Sequence, residues 1–141
     1  MNCEQIEIVI NTSSRGFHLV TDIIESNVPQ IRKYKIGLLN LFLKHTSASL
    51  TINENTDPTV RSDLESHFNE LVPENQSYYK HILEGPDDMP AHIKSTIIGN
   101  SLSLPLSNGT LALGTWQGIY LCEHRSSNQA RKIIATIFGE R

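Results

Sequence analysis

Ile6, Ile8 and Ile10 recur at every second position over residues 3–10, which predicts a half-buried strand. Residues 11–16 read as a turn, and residues 17–20 as the strand returning from it in a hairpin. Thr21-Asp22 offers a helix N-cap ahead of Ile23, Ile24, Val28 and Ile31 at helical spacing, with Pro29 expected to kink or split that helix. The nearly continuous apolar run 36–43 predicts a central strand buried on both faces. Residues 49–53 alternate again. Asp57-Pro58 then opens a helix whose apolar face is Val60, Leu64, Phe68 and Leu71, stopping before Pro73. Asp63 and His67, four apart on that helix, read as a surface pair.

The second half repeats this vocabulary. Pro90 falls in the first turn of a helix that runs through Ile93, Ile97 and Ile98 to Gly99-Asn100. Leu102–Leu106 alternates, Asn108-Gly109 is a strong hairpin signal, and Thr110–Leu113 returns. Residues 114–118 interrupt the pattern. Ile119–Cys122 resumes as a strand ending at Glu123-His124-Arg125, and the β-branched run 132–138 closes the chain. Many strands, frequent hairpins and two to three helices define an α+β fold with a mainly antiparallel sheet or sandwich. The 141 residues suit one domain, 1–141, with a real core.

Composition narrows the function. A net charge of −3 advertises no basic face for nucleic acid, although Arg32-Lys33-Lys35 or Arg131-Lys132 would hold a phosphate if they are not simply solvated. Two isolated cysteines, Cys3 and Cys122, make neither a disulfide framework nor a zinc module. No apolar run reaches membrane-spanning length and no secretory leader is evident, so a cytoplasmic protein is expected. P-loop, dinucleotide-binding and nucleophile-elbow motifs are absent from the sequence.

The chemistry concentrates in residues 81–92, His-Ile-Leu-Glu-Gly-Pro-Asp-Asp-Met-Pro-Ala-His, where two imidazoles bracket two adjacent carboxylates. Imidazole and carboxylate are the ligand set for Zn, Mn, Fe or Mg. The eleven-residue gap between His81 and His92 rules out a single-helix pair of the His-Glu-x-x-His type, so any shared site is assembled in three dimensions. Asp88 and His92, four apart, either face one centre or leave Asp88 as a helix cap. His45, His81 and His92 offer three nitrogens to one ion, with a position left open for water or substrate.

Three motifs carry a resemblance: His-Thr-Ser-Ala-Ser-Leu-Thr-Ile-Asn-Glu-Asn at 45–55, the 81–92 loop, and Gly-Thr-Trp-Gln-Gly-Ile-Tyr-Leu-Cys-Glu at 114–123. Together, in this order and over nearly the whole chain, they resemble the YjbQ-like family, also called the secondary thiamine-phosphate synthase family. The resemblance implies a homotrimeric α+β protein that accommodates a divalent metal ion (Zn, Mg or Mn) on His45, His81 and His92. Asn53, Glu54, Asp57, Asp87, Asp88, Trp116, Gln117 and Glu123 match the family's remaining polar positions. The activity implied joins a pyrimidine diphosphate to a thiazole phosphate and releases pyrophosphate. Glu54, Asp87, Asp88 and Glu123 would be its acid/base or Mg²⁺-side groups. Ser47, Asn53, Gln117 and Arg125 would contact substrate, and Trp116 would stack on a ring or pack as an interface aromatic. His124-Arg125-Ser126-Ser127 departs from the acidic turn common in the family, and Arg125 suits a phosphate better than a metal. Two other readings are a metal- or small-ligand-binding trimer, hydrolytic if anything, and a structural trimer whose His and Asp residues form an interface network.

Overall fold

The computed structural model describes all 141 residues. In chain order the elements are β1 (Asn2–Thr12), β2 (Gly16–Leu19), α1 (Thr21–Asn27), a 3-10 turn (Pro29–Lys33), β3 (Ile36–Leu43), β4 (Ala48–Glu54), α2 (Pro58–Leu71), α3 (Asp88–Ile98), β5 (Ser101–Ser107), β6 (Thr110–Leu111), β7 (Gln117–Glu123) and β8 (Gln129–Glu140). They form a five-stranded sheet in the order β1-β8-β3-β5-β6 and a three-stranded sheet in the order β2-β7-β4. Every pairing is antiparallel. The α+β expectation holds.

Alternation explains the layering. Ile8, Ile10, Leu39, Leu41, Leu43, Leu104, Leu106, Ile133, Ala135 and Ile137 point inward from the large sheet. They meet Leu50, Ile119 and Leu121 of the small sheet, while Val20, Ile24, Val28, Ile31 and Tyr34 close one end. On its other face the small sheet packs Phe17, Tyr120 and Cys122 against Leu64 and Phe68 of α2 and Ile98 of α3. The result is sheet on sheet, with a helical layer over the smaller one.

Several local readings hold. Asn108 and Gly109 have φ of 50° and 79°, the left-handed pair that a tight hairpin requires. Asp57 caps α2 by accepting the Thr59 N–H at 2.9 Å. Pro29 splits the first helix, since α1 ends at Asn27 and the 3-10 turn begins at Pro29.

Three readings do not. Residues 17–20 do not return on β1: β2 pairs with β7, in the other sheet. Short-range turn chemistry suggests a hairpin but cannot say which sheet the strand joins. Thr21 is not the cap of α1, whose N-cap is Val20; its hydroxyl oxygen accepts the Ile119 N–H instead. Nor is β3 buried on both faces, because Ile36, Leu38 and Phe42 point away from the core and remain exposed. The strand covered on both sides is β7, where every residue from Gly118 to Glu123 is buried.

Antiparallel register sets the position of the site. Ala48 pairs with Glu123, so the β3–β4 connection and the β7–β8 connection lie at the same end of the sheets. Gly99 and Asn100, after α3, accept the backbone N–H groups of Leu50 and Leu43. This docks α3 beside that end.

Candidate metal centre

One ligating atom from each of His81, Asp88 and His92 lies within 4.8 Å of the others. Asp88 Oδ2 stands 2.7 Å from His81 Nε2 and 3.2 Å from His92 Nε2, and the two imidazole centroids are 5.2 Å apart. Asp88 is the first residue of α3 and His92 is one turn further on. Of the two roles open to Asp88 from sequence, the structure chooses the shared centre. The cap position belongs to Asp87, whose side chain makes no capping bond.

The loop ahead of α3 is held by Arg125, which follows β7. Its guanidinium donates from Nε to Asp87 Oδ2 at 3.0 Å, from Nη1 to Asp88 Oδ1 at 2.7 Å, and from Nη2 to the Glu84 carbonyl at 2.9 Å. The Ser126 N–H adds a bond to Asp87 Oδ2 at 2.9 Å. Gly85 permits the turn with φ of 102°. Arg125 therefore occupies one oxygen of Asp88 and leaves Oδ2 to the imidazoles. Burial opposes the charge of Asp88, which is only 2% exposed, but His81, Arg125 and His92 outweigh it and hold its pKa below the usual carboxylate value. Asp87 is held low in the same way, with burial outweighed by the Ser126 N–H and Arg125.

Hydrogen-bond chemistry fixes the orientation of His92. The Thr46 carbonyl can only accept, so the His92 nitrogen 2.8 Å from it, Nδ1, carries a proton. Nε2 then faces the carboxylate oxygen, to which a cationic ring donates its second proton and beside which a neutral ring offers its lone pair to a metal ion. A backbone acceptor on the far nitrogen is the usual support of a metal-ligating histidine. Two imidazoles and one carboxylate also fit Zn²⁺, Mn²⁺ or Fe²⁺ as a donor set.

The other expected residues fall into three places. His45 stands outside the cluster: its Nε2 accepts the Lys132 backbone N–H at 2.8 Å, so that lone pair is spent. Glu123 is fully buried and makes an ion pair with Arg131, accepting from its Nε at 2.8 Å and its Nη2 at 2.5 Å. It also accepts the Thr12 hydroxyl and the Arg125 N–H. Ser47 gives its carbonyl and hydroxyl oxygens to the same Arg131. Burial acts first against the Glu123 charge, yet Arg131 and Thr12 prevail and lower its pKa. Glu123 and Ser47 thus brace the sheet end, and Arg131 is a buried cation rather than part of a surface patch.

Asn53, Glu54, Asp57, Trp116 and Gln117 gather at the opposite end of the β4–β7 pair, where Glu54 is in register with Gln117. At the rise of an extended strand this is roughly 20 Å from the Ala48–Glu123 end. Their polar groups serve local structure: Glu54 accepts the Asp57 N–H, Asn53 the Glu54 N–H, and Gln117 the Gly114 N–H. Trp116 is 63% exposed.

Sequence reading missed two buried polar side chains, Lys94 and His124. Lys94 of α3 is 1% exposed and donates to Asn69 at 2.6 Å, and burial lowers its pKa. His124 is 1% exposed, bonds Ser49 through Nε2 at 2.8 Å and leaves Nδ1 without a partner. Period-two alternation with Ile133, Ala135 and Ile137 is the signal that would have turned Arg131 inward. No comparable signal marks Lys94.

Two cavities flank the centre. One of about 220 Å³ touches His81 and is lined by Tyr79, Ile82, Pro86 and Met89 with Asn75 and Gln76. The other, about 330 Å³, touches His92 and is lined also by His45, Thr46, Ser95, Thr96, Gly99 and Asn100.

Fold and site together define an antiparallel two-sheet α+β protein with a candidate His–Asp–His metal centre at one sheet end. Comparison with known proteins agrees with the fold, and the chain belongs to the YjbQ-like family of UPF0047 proteins, whose family model matches residues 5–140. It is 55% identical over 136 residues to the UPF0047 protein YjbQ of Salmonella typhimurium, covering 96% of this chain and 98% of that one. A UPF0047 protein of Synechocystis is 46% identical, over 94% of this chain and 90% of its own. Among solved structures, an uncharacterised YjbQ/UPF0047 protein of Clostridium acetobutylicum superposes with a TM-score of 0.83 at 36% identity, covering 94% of this chain and 99% of that one. A hypothetical protein of Aeropyrum pernix superposes with a TM-score of 0.85 at 30% identity, over 97% and 99% of the two chains.

Proposed function

We propose that this protein holds a divalent ion, Zn²⁺, Mg²⁺ or Mn²⁺, on His81, Asp88 and His92. We further propose that it catalyses the joining of hydroxymethylpyrimidine diphosphate to thiazole phosphate, with release of pyrophosphate. The observation that carries the metal reading is the convergence of ligating atoms of His81, Asp88 and His92 within 4.8 Å of one another, with His92 Nδ1 committed to Thr46. The reaction comes from the family resemblance. Bound there, the ion supplies positive charge against a departing diphosphate. The chain's own contribution is orientation: Arg125 fixes Asp88, Thr46 fixes His92, and Tyr79, Ile82 and Met89 offer an apolar recess to a ring.

The homotrimer belongs to this proposal. Ile36, Leu38, Phe42 and Phe138 leave an apolar band on the outer face of the large sheet, which suits burial against further copies of the chain. Assembly would also give the remote Trp116 end of one chain an opportunity to meet the His81 end of another. The two unpaired cysteines, Cys3 and Cys122, suit a cytoplasmic protein.

The test is to supply both substrates and follow thiamine phosphate and pyrophosphate together. Equal formation of both, abolished by chelator and by Asp88→Asn, is expected. No product from folded, metal-loaded protein would overturn the reaction. One observation favours a second reading, a metal- and ligand-binding trimer without turnover: Glu54 and Glu123, two of the expected acid/base carboxylates, are engaged away from the cluster.

A further inference from the structure

The polar cavity beside His92 contains no carboxylate, and its hydrogen bonds are unevenly used. The Ser95 hydroxyl donates to the Ala48 carbonyl and the Thr96 hydroxyl to the His92 carbonyl, so their protons are spent. The Thr46 and Asn100 side chains are exposed and make no hydrogen bond within the chain, so the Thr46 O–H and the Asn100 Nδ2 protons face solvent. His45 is the decisive member. Its Nε2 accepts the Lys132 N–H, so its Nδ1 carries the ring proton and is a donor with no partner in the chain.

The cavity therefore presents three unspent donors and no acidic group in its wall. Arg131, Lys132 and Lys44 act on His45 as cations, with Arg131 paired to Glu123 and both lysines beside Glu7. Burial foremost, then these cations, lowers the His45 pKa, in keeping with a neutral ring that keeps Nδ1–H as a donor.

We infer that this cavity is an anion subsite, in which His45, Thr46 and Asn100 bind the phosphate or diphosphate group of a small molecule next to the His92 side of the centre. His45 is then a phosphate donor rather than a metal ligand. The inference deepens the proposed function by naming which wall of the site takes the phosphate, yet it does not require the metal.

The experiment is an NMR titration of chelator-treated, folded protein with inorganic phosphate, following the backbone amides of residues 45, 46 and 100. The parent and Asp88→Asn should show the same saturable shifts at these amides. A Thr46→Val/Asn100→Ala variant with an otherwise unchanged spectrum should bind about tenfold or more weakly, the loss expected for two hydrogen bonds to a charged group. His45→Phe supplies the same readout independently. Absence of saturable shifts in the parent, equal affinity in these variants, or phosphate binding only after metal is added would each overturn the subsite. Loss of metal in Asp88→Asn alone bears on the metal reading and leaves this one standing.

Discussion

His92 donates its Nδ1 proton to the carbonyl oxygen of Thr46 at 2.8 Å, tying α3 to the loop after β3. The bond does more than join two segments. It places a proton on Nδ1 of His92 and so turns Nε2 toward Asp88, 3.2 Å away. A backbone acceptor cannot be removed by side-chain substitution, so this orientation is built into the fold.

Arg125 is expected to act through Asp88, without touching a ligand itself. Arg125→Gln removes the bonds to Asp87 Oδ2, Asp88 Oδ1 and the Glu84 carbonyl. Loss of such support around a metal ligand typically weakens metal binding by about 10- to 100-fold. Competition with a metal-binding dye measures it. Unchanged metal affinity in a folded Arg125→Gln protein would mean that the loop holds Asp88 without it.

Glu123 and Arg131 form a buried pair whose members depend on each other. Glu123→Gln leaves the Arg131 charge uncompensated and should cost about 3–5 kcal/mol of stability in urea denaturation. Replacing both residues by apolar side chains of similar volume (Glu123→Leu with Arg131→Met) should lose markedly less. A double variant as unstable as the single one would show that the pair's hydrogen bonds to Thr12 and Ser47 matter more than charge balance.

His124 should make stability depend on pH. Burial, followed by the charge of Lys94, pushes its pKa down from 6.5 to about 3. Between these values the unfolded chain binds a proton that the folded chain refuses. Stability therefore rises with pH through this window and falls on acidification, by up to about 1.4 kcal/mol per pH unit for this one group. Denaturation curves from pH 4 to 6 for the parent and for His124→Gln should differ in slope by about that amount. Parallel curves would mean that His124 titrates normally in the fold.

Much of the fold was legible because period-two alternation and turn chemistry are local signals. Asn108-Gly109 and Asp57-Pro58 behave as their residue types dictate. What the pattern could not supply was partner choice: the strand at 17–20 was visible, but its place beside β7 depends on contacts more than a hundred residues away. The apolar run of β3 misled for a related reason, since an outward apolar face reads like an inward one until the layers are known. At the site, the 81–92 loop was legible as imidazole plus carboxylate. Asp88 was visible as a possible partner of His92, whereas the commitment of His45 to the Lys132 N–H was not, because backbone hydrogen bonds leave no mark on side-chain identity.

The most direct measurement is the metal content of protein purified without chelator and exposed to Zn²⁺, Mn²⁺ or Mg²⁺, for the parent, Asp88→Asn and His45→Gln. The account predicts close to one ion per chain in the parent and in His45→Gln, and none in folded Asp88→Asn. No bound ion in the parent, or a full complement in Asp88→Asn, would contradict it.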